Sequence, residues 1–410
     1  MRLEGDAATA AALAAFALVA ALPWWLGDRR PAPPELRAPY EFVVTSAADA
    51  GPGSLREALL DADRAPGRAR VVLAVPRVTL EDPLPALVNP EGVVLDGGDA
   101  GCEIDARRAG DALVVAAPDS VVRGVTIRGA AGAAVSVLAD RARLAEVAIE
   151  GCGEGVRTAP GVRGLTIEDS RFSGNGVGVR LAAAGPGTAI RRNRFERHDD
   201  AAVWAVAARS AAAEAAGGLE VRGNRFVEDR VSLVLADVPA TVEDNELVGA
   251  FEVAVYLIGR GAIVRGNRIR GAVKVGVYGA RPIDALVAGN ELDRNPVAIL
   301  ISGAEGTVVR GNRLHANVDG IAAVFDGAGG DNLLAGNLLV GQRHDALLVI
   351  GASPLVRGNR ALFNQGAGLR LLDAEAAPAA PRLEDNVLAG NGVEGPLREA
   401  FRAAVEEDAP

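Results

Sequence analysis

Ile190-Arg191-Arg192-Asn193, Val221-Arg222-Gly223-Asn224 and Val242-Glu243-Asp244-Asn245 are three copies of one short pattern: an aliphatic residue, two polar or small residues, then asparagine. It returns at Asn267, Asn290, Asn312, Asn337, Asn359 and Asn386, with successive asparagines 31, 21, 22, 23, 22, 25, 22 and 27 residues apart. Degenerate copies carry it backward through Ser170, Val147 and Val125. A period near 22 residues, held over this length, marks a solenoid in which each unit buries its apolar face against the next.

The repeating unit is built of strands. Val253-Ala254-Val255-Tyr256-Leu257 and Val297-Ala298-Ile299-Leu300-Ile301 alternate with period two and are rich in β-branched residues, and no unit has room for a helix of three turns. Stacked coils would lie about 4.8 Å apart, each strand pairing with its counterparts above and below. The asparagine then falls at one corner of every coil. Asparagine tolerates a left-handed backbone, and its stacked amides can hydrogen-bond along the pile. That column is therefore read as structural.

Composition narrows the function. Of 410 residues, 49% are apolar and 23% charged, as in a folded protein. A net charge of −10, from 43 basic and 53 acidic residues, argues against a nucleic-acid partner, which asks for a basic footprint. Two cysteines and three histidines leave no room for a His/Cys-rich metal cluster or a disulfide scaffold.

The ends differ from the repeat. Residues 1–30 are expected to be a signal peptide or membrane anchor, because Ala7–Leu26 is a nearly unbroken apolar run ending beside Trp24-Trp25. Residues 31–39 form a Pro-rich linker and 40–66 an N-terminal cap, in which Ser54-Leu55-Arg56-Glu57 is a capping box opening a short helix. The solenoid occupies 67–395. Leu397, Phe401 and Val405, after Pro396, predict a capping helix over 396–410.

Thr45-Ser46-Ala47-Ala48-Asp49-Ala50-Gly51-Pro52-Gly53-Ser54-Leu55-Arg56-Glu57-Ala58 resembles the entry motif of exported right-handed parallel β-helix repeat proteins, and Val93-Val94-Leu95-Asp96-Gly97-Gly98 resembles their first coil. The resemblance covers Tyr40 to the end. It implies an all-β, right-handed parallel β-helix of the pectate-lyase-like superfold; the repeat spacing gives about a dozen coils, and the end segments a short helix at each end. That superfold holds pectate lyases, polygalacturonases, alginate epimerases, adhesins and non-catalytic periplasmic proteins, so it names no single activity. This sequence has no counterpart of the alginate epimerase Asp-Pro-His motif or of the calcium-and-arginine constellation of pectate lyases.

Three sets of residues are candidates for chemistry. A polar corner before the long strand holds His198-Asp199-Asp200, Asp319 and His344-Asp345; a histidine beside a carboxylate can act as general base, and paired carboxylates can cleave glycosidic bonds. Asp326 and Asp331 bracket a Gly-rich loop and could face calcium, although two carboxylates fall short of the six oxygens such an ion takes, and a turn explains them. The third set is the outward face of the long strand. Inward positions are expected at Val231/Leu233, Val253/Val255, Val275/Val277 and Val297/Ile299. A small outward column is expected at Ser232, Ala254, Gly276 and Ala298, continued by Ala322, beside an apolar or aromatic one at Val234, Tyr256, Tyr278 and Leu300. With Trp204 on the same face, this floor could bind sugar rings or an envelope protein partner. The charges beside the asparagines, Arg194, Arg225, Glu246, Arg268, Glu291 and Arg313 among them, read as an ion-pair ladder rather than a polyanion strip. The favoured reading is an exported envelope protein that binds a glycan or protein and does no catalysis. The alternative is a polysaccharide lyase, hydrolase or epimerase acting at the polar corner.

Overall fold

The structure, a computed structural model, describes residues 38–98, 100–107, 110–207, 218–326, 331–374 and 378–400. The expected leader and residues 31–37 of the expected linker lie outside these residues. Among the described residues no helix is long and apolar enough to cross a membrane.

The chain winds through about thirteen turns whose strands stack into three parallel sheets of 15, 14 and 13 strands. One coil runs Ala189–Arg191 in the first sheet, Arg194–Glu196 in the second and Ala201–Val206 in the third. A three-residue strand hides chiefly its middle side chain and a four-residue one two, so two of the three walls give the core one or two residues per coil. Ile190, Val221, Val242 and Val264 fill it from the first sheet, and Phe195, Phe226, Leu247 and Ile269 from the second. Phe172, Phe195 and Phe226 stack face to face, with centroids 4.9 and 5.0 Å apart.

The corner between the first and second sheets is the asparagine corner. Its left-handed residue is the one before each asparagine: φ is 55° at Arg192, 63° at Gly223, 55° at Asp244 and 64° at Gly266. The asparagine itself is freed to point inward. The Asn224 N–H donates to Asn245 Oδ1 at 2.9 Å, and its Nδ2 donates to the same oxygen at 3.0 Å and to the Ile190 carbonyl at 2.8 Å. The unit repeats from Asn193 through Asn386, satisfying each amide buried within the stack.

A second ladder stands at the next corner, five residues after each asparagine. Asn295, Asn317, Gln342, Asn364 and Asn391 link N–H to side-chain oxygen at 2.9–3.1 Å. Left-handed residues again precede the rungs, at Arg294, Ala316, Gly341, Phe363 and Gly390.

At the N-terminal end a helix runs Leu55–Arg64 (α1). Ser54 Oγ accepts the Glu57 N–H at 3.2 Å, and the Glu57 carboxylate accepts the Gly53 N–H at 2.6 Å. Leu55, Ala58, Leu59 and Ala62 bury its apolar face. The C-terminal end departs from expectation. Val393–Ala400 is a strand of the third sheet, pairing Leu397 with Arg370 and Glu399 with Leu372. The open edge of Ala367–Asp373 outcompetes the i, i+4 apolar pattern, and a register shift between Ala367 and Leu369 accommodates Pro396. Residues 401–410 lie outside the described residues.

The ladders make a specific prediction. Asn267→Ala removes the acceptor of the Asn245 N–H (3.0 Å) and Nδ2 (2.9 Å), and the donor to the Val242 carbonyl (2.9 Å). Urea unfolding should show a loss of at least about 2 kcal/mol. Arg268→Ala, one residue on but 70% exposed, should stay within about 0.5 kcal/mol. Equal losses would contradict the ladder's role.

Candidate functional site

The third sheet is the wall with strands long enough, up to nine residues, to carry a surface of its own. Near the start of its central strands two consecutive residues face inward. Ala254 and Val255 are both buried, as are Ser232 with Leu233, Gly276 with Val277 and Ala298 with Ile299. The register pairs Val253 with Val275 and Val255 with Val277 but skips the residue between. A Cβ on Gly276 would stand 2.6 Å from the Ala298 carbonyl oxygen and 3.0 Å from Leu292, and one on Gly178 would stand 2.5 Å from the Ala202 carbonyl oxygen and 3.1 Å from Phe195. The small column is therefore inward, where the chain turns into the core, and not the outward column expected from strict alternation. Ala322 pairs with Leu300 and belongs to the neighbouring row.

The outward row survives this correction. Trp204, Val234, Tyr256, Tyr278, Leu300, Ala322 and Leu348 follow one another in register, six coil steps or about 29 Å. The Tyr256 and Tyr278 rings stack at 5.1 Å and 16°, and Trp204, Tyr256, Tyr278 and Leu300 are all partly exposed.

Charge closes the row at both ends. Below Trp204 come Arg180 and Arg157. The Arg180 guanidinium lies 5.1 Å from the Trp204 ring centroid and pairs with Glu154; Arg157 pairs with Asp111 and, at 3.5 Å, with Glu154. Above Leu348 comes Arg370, whose guanidinium holds Asp345, with Nη2 3.2 Å from Oδ1.

The polar corner divides. Asp319 and Asp345 sit on adjacent coils, and Asp319 Oδ1 accepts the Asp345 N–H at 3.3 Å. His344 Nδ1 is 3.8 Å from Asp319 Oδ1. Burial pushes the Asp319 carboxyl above its usual range, against the opposing pull of His344. These three residues, with Arg370, form one cluster at the rim of the row.

His198 does not join it. Its side chain has no exposed surface and cannot touch a substrate. Standing five residues after Asn193, it is a rung of the second ladder: Nδ1 lies 2.6 Å from Asp229 Oδ1 and Nε2 3.4 Å from Asn175 Nδ2. Burial likewise raises the Asp229 carboxyl. Asp199 and Asp200 are exposed, and Asp200 faces Arg230 at 3.5 Å. Of the proposed calcium loop, residues 327–330 and the Asp326 side chain lie outside the described residues; Asp331 is exposed.

Residues 111–269 match the family model described as a right handed beta helix region. The chain is a β-helix repeat protein. Residues 205–351 also match the model described as periplasmic copper-binding protein (NosD). Among solved structures, the chain is similar to the A-module of the mannuronan C-5 epimerase AlgE6 of Azotobacter vinelandii, at 11% identity over 87% of this chain and 99% of that one, with a TM-score of 0.49. It is similar to a tailspike protein of the E. coli bacteriophage HK620 (11%, 78% and 66%, TM-score 0.48) and to PfbA, a surface adhesin of Streptococcus pneumoniae (10%, 79% and 89%, TM-score 0.46). No curated protein sequence matches.

The residues of this β-helix do not fit a copper centre. Such a site draws on imidazole, thiolate and thioether donors. Here His198 is buried against Asp229, His315 stands on the second sheet near Asp293, and His344 lies at the third-sheet rim. Cys102 and Cys152 are free and buried, with burial pushing the Cys102 thiol up to about 11. Among the described residues no group of three or more His, Cys, Asp or Glu could hold a metal ion.

Asp319 yields a pH prediction. A carboxyl raised in the folded state takes up a proton on folding, so its stabilising contribution is present below the unfolded value of 3.8 and lost as pH rises through the folded value. Asp319→Asn should therefore raise Tm at pH 7, and the gain should shrink as pH falls toward 3.8. A gain that stays constant with pH would contradict the buried-carboxylate assignment.

Proposed function

We propose that this β-helix is an exported envelope protein that binds an extended glycan along the outward row of its third sheet. The observation that carries the reading is the Tyr256–Tyr278 stack, 5.1 Å between centroids, in a row about 29 Å long whose larger side chains are partly exposed and whose Val234 and Ala322 are buried. Aromatic rings one coil apart offer flat apolar faces to successive sugar rings. The Arg180–Trp204 contact at one end and the Asp319–Asp345–Arg370 cluster at the other supply polar groups where the row stops. An envelope protein lying along the same row would use the same anchors. Export, and attachment to the membrane if the leader is retained, is supported by the apolar run Ala7–Leu26.

A second reading rests on Asp319. A carboxyl raised by burial, hydrogen-bonded to the backbone of an Arg-paired Asp345, sets two carboxyl groups side by side, the arrangement that glycosidic acid/base chemistry uses. On this reading the chain is a polysaccharide lyase, hydrolase or epimerase acting at the rim of the row.

One experiment separates the two: the full chain screened on a polysaccharide panel for both retention and product release. Binding without release is expected. Tyr256→Ala/Tyr278→Ala should weaken it by about 1–3 kcal/mol with little change in Tm, because both rings point away from the core. A lower Tm with unchanged binding would make the row a packing surface. Product that vanishes in Asp319→Asn would establish the catalytic reading instead.

A further inference from the structure

The two ends of the solenoid are finished differently. At the first end α1 covers the core, with Leu55, Ala58, Leu59 and Ala62 buried against it. At the other end, among the described residues, each sheet stops at an edge strand: Arg382–Glu384 in the first, Val387–Ala389 in the second and Val393–Ala400 in the third. The inward column of the first sheet registers the change. Val264, Val287, Val309, Leu334 and Val356 are at most 2% exposed, whereas Leu383, paired with Val356 and next in line, is 44% exposed. An inward leucine this open, beneath an unpaired strand edge, is a docking surface for one more strand.

The repeat itself supplies that strand. A step of 22 residues, the commonest in the asparagine ladder, carries Leu383-Glu384-Asp385-Asn386 onto Val405-Glu406-Glu407-Asp408. An independent spacing gives the same register. The first-sheet strand starts four residues after the third-sheet strand ends both at Ala236 and at Ala304, and four residues after Ala400 is Ala404. The unusual residues have precedents in the stack. Glutamate takes the left-handed conformation at this corner at Glu146, with φ 56°. A carboxylate serves as a rung at the neighbouring corner, where Asp229 Oδ1 accepts the His198 N–H at 3.2 Å.

We propose that the open end is the docking surface for residues 404–408 of the same chain, with Ala404-Val405-Glu406 pairing over Arg382–Glu384, Val405 covering Leu383 and Asp408 extending the ladder past Asn386. The last ladder bond among the described residues runs from the Asn359 N–H to Asn386 Oδ1 at 3.0 Å; the Asn386 N–H donates in turn to the Asp408 carboxylate. Occupied in this way, the edge is withheld from the edge of a second copy, the commonest hazard of an unpaired strand. The capping helix expected from Leu397, Phe401 and Val405 is the competing closure. A helix laid across the end would bring no residue of 404–408 into strand register.

Engineered disulfides in the full chain read the register. Arg382→Cys/Ala404→Cys and Glu384→Cys/Glu406→Cys would set their Cα atoms about 4.8 Å apart on the outer face, within disulfide reach, whereas Arg382→Cys/Glu406→Cys would hold them about 8 Å apart. Under mild oxidation of the native protein, whose Cys102 and Cys152 are buried, the first two pairs should close at least about tenfold faster than the third. Hydrogen exchange gives a second readout. Asp408→Ala should speed exchange of the Asn386 N–H at least about tenfold, and Asp408→Asn should keep it slow. The proposal is overturned by equal closure of all three pairs, by closure of none, by disulfides that join two chains through Arg382→Cys, or by exchange at Asn386 that responds to neither substitution.

Discussion

Everything in this molecule depends on one repeated hydrogen bond, from a backbone N–H at a coil corner to the side-chain oxygen of the asparagine stacked in the next coil. A coil that turns sharply between two three-residue strands leaves corner N–H and carbonyl groups that neither strand can use. Left buried and unpaired, each would cost about 1–3 kcal/mol. The asparagine amide meets both needs at once: the Asn224 oxygen accepts the Asn193 N–H and its nitrogen donates to the Ile190 carbonyl of that same coil, while the nitrogen also reaches Asn245 Oδ1 in the coil above. The residue before it takes the left-handed strain, so the asparagine can face inward. The corners then set the coil spacing, and the third sheet can vary its outward residues without disturbing the stack.

The second corner shows how far the ladder tolerates other chemistry. His198 and Asp229 occupy rungs that are asparagine or glutamine higher in the stack. Their buried hydrogen bond replaces an amide pair, yet Asp229 Oδ2 has no partner among the described residues. A half-satisfied buried pair is less secure than a full amide rung. This histidine and carboxylate, adjacent in space and chemically suggestive, are held where no substrate reaches.

The solenoid and its first ladder were legible because the same residue type recurs at the same place: valine or isoleucine, then glycine or a polar residue, then asparagine. The second ladder hid because its rungs read His, Asp, Ala, Ala, Asn, Asn, Gln, Asn and Asn; only the fixed offset of five from each first-ladder asparagine betrays it. The aromatic row is legible from Tyr256 and Tyr278, but period-two alternation puts its small neighbour on the wrong face. Strict alternation fails where Ala254 and Val255 both turn inward. Pro396 suggested a helix start, whereas the unpaired edge of the preceding strand draws the segment into the sheet. The charged ends of the row, Arg157, Arg180 and Arg370, are not legible in the sequence, because register and not spacing brings them into line with Trp204 and Leu348.

Hydrogen exchange on the full chain tests the dependence on the corner ladder most directly. The backbone N–H groups of Asn245, Asn267, Asn290 and Asn312 each donate to a buried side-chain oxygen at 2.9–3.0 Å. They should be among the slowest to exchange, opening only with the coil stack as a whole. Exchange at these amides as fast as in the exposed turns after the third sheet would contradict the account.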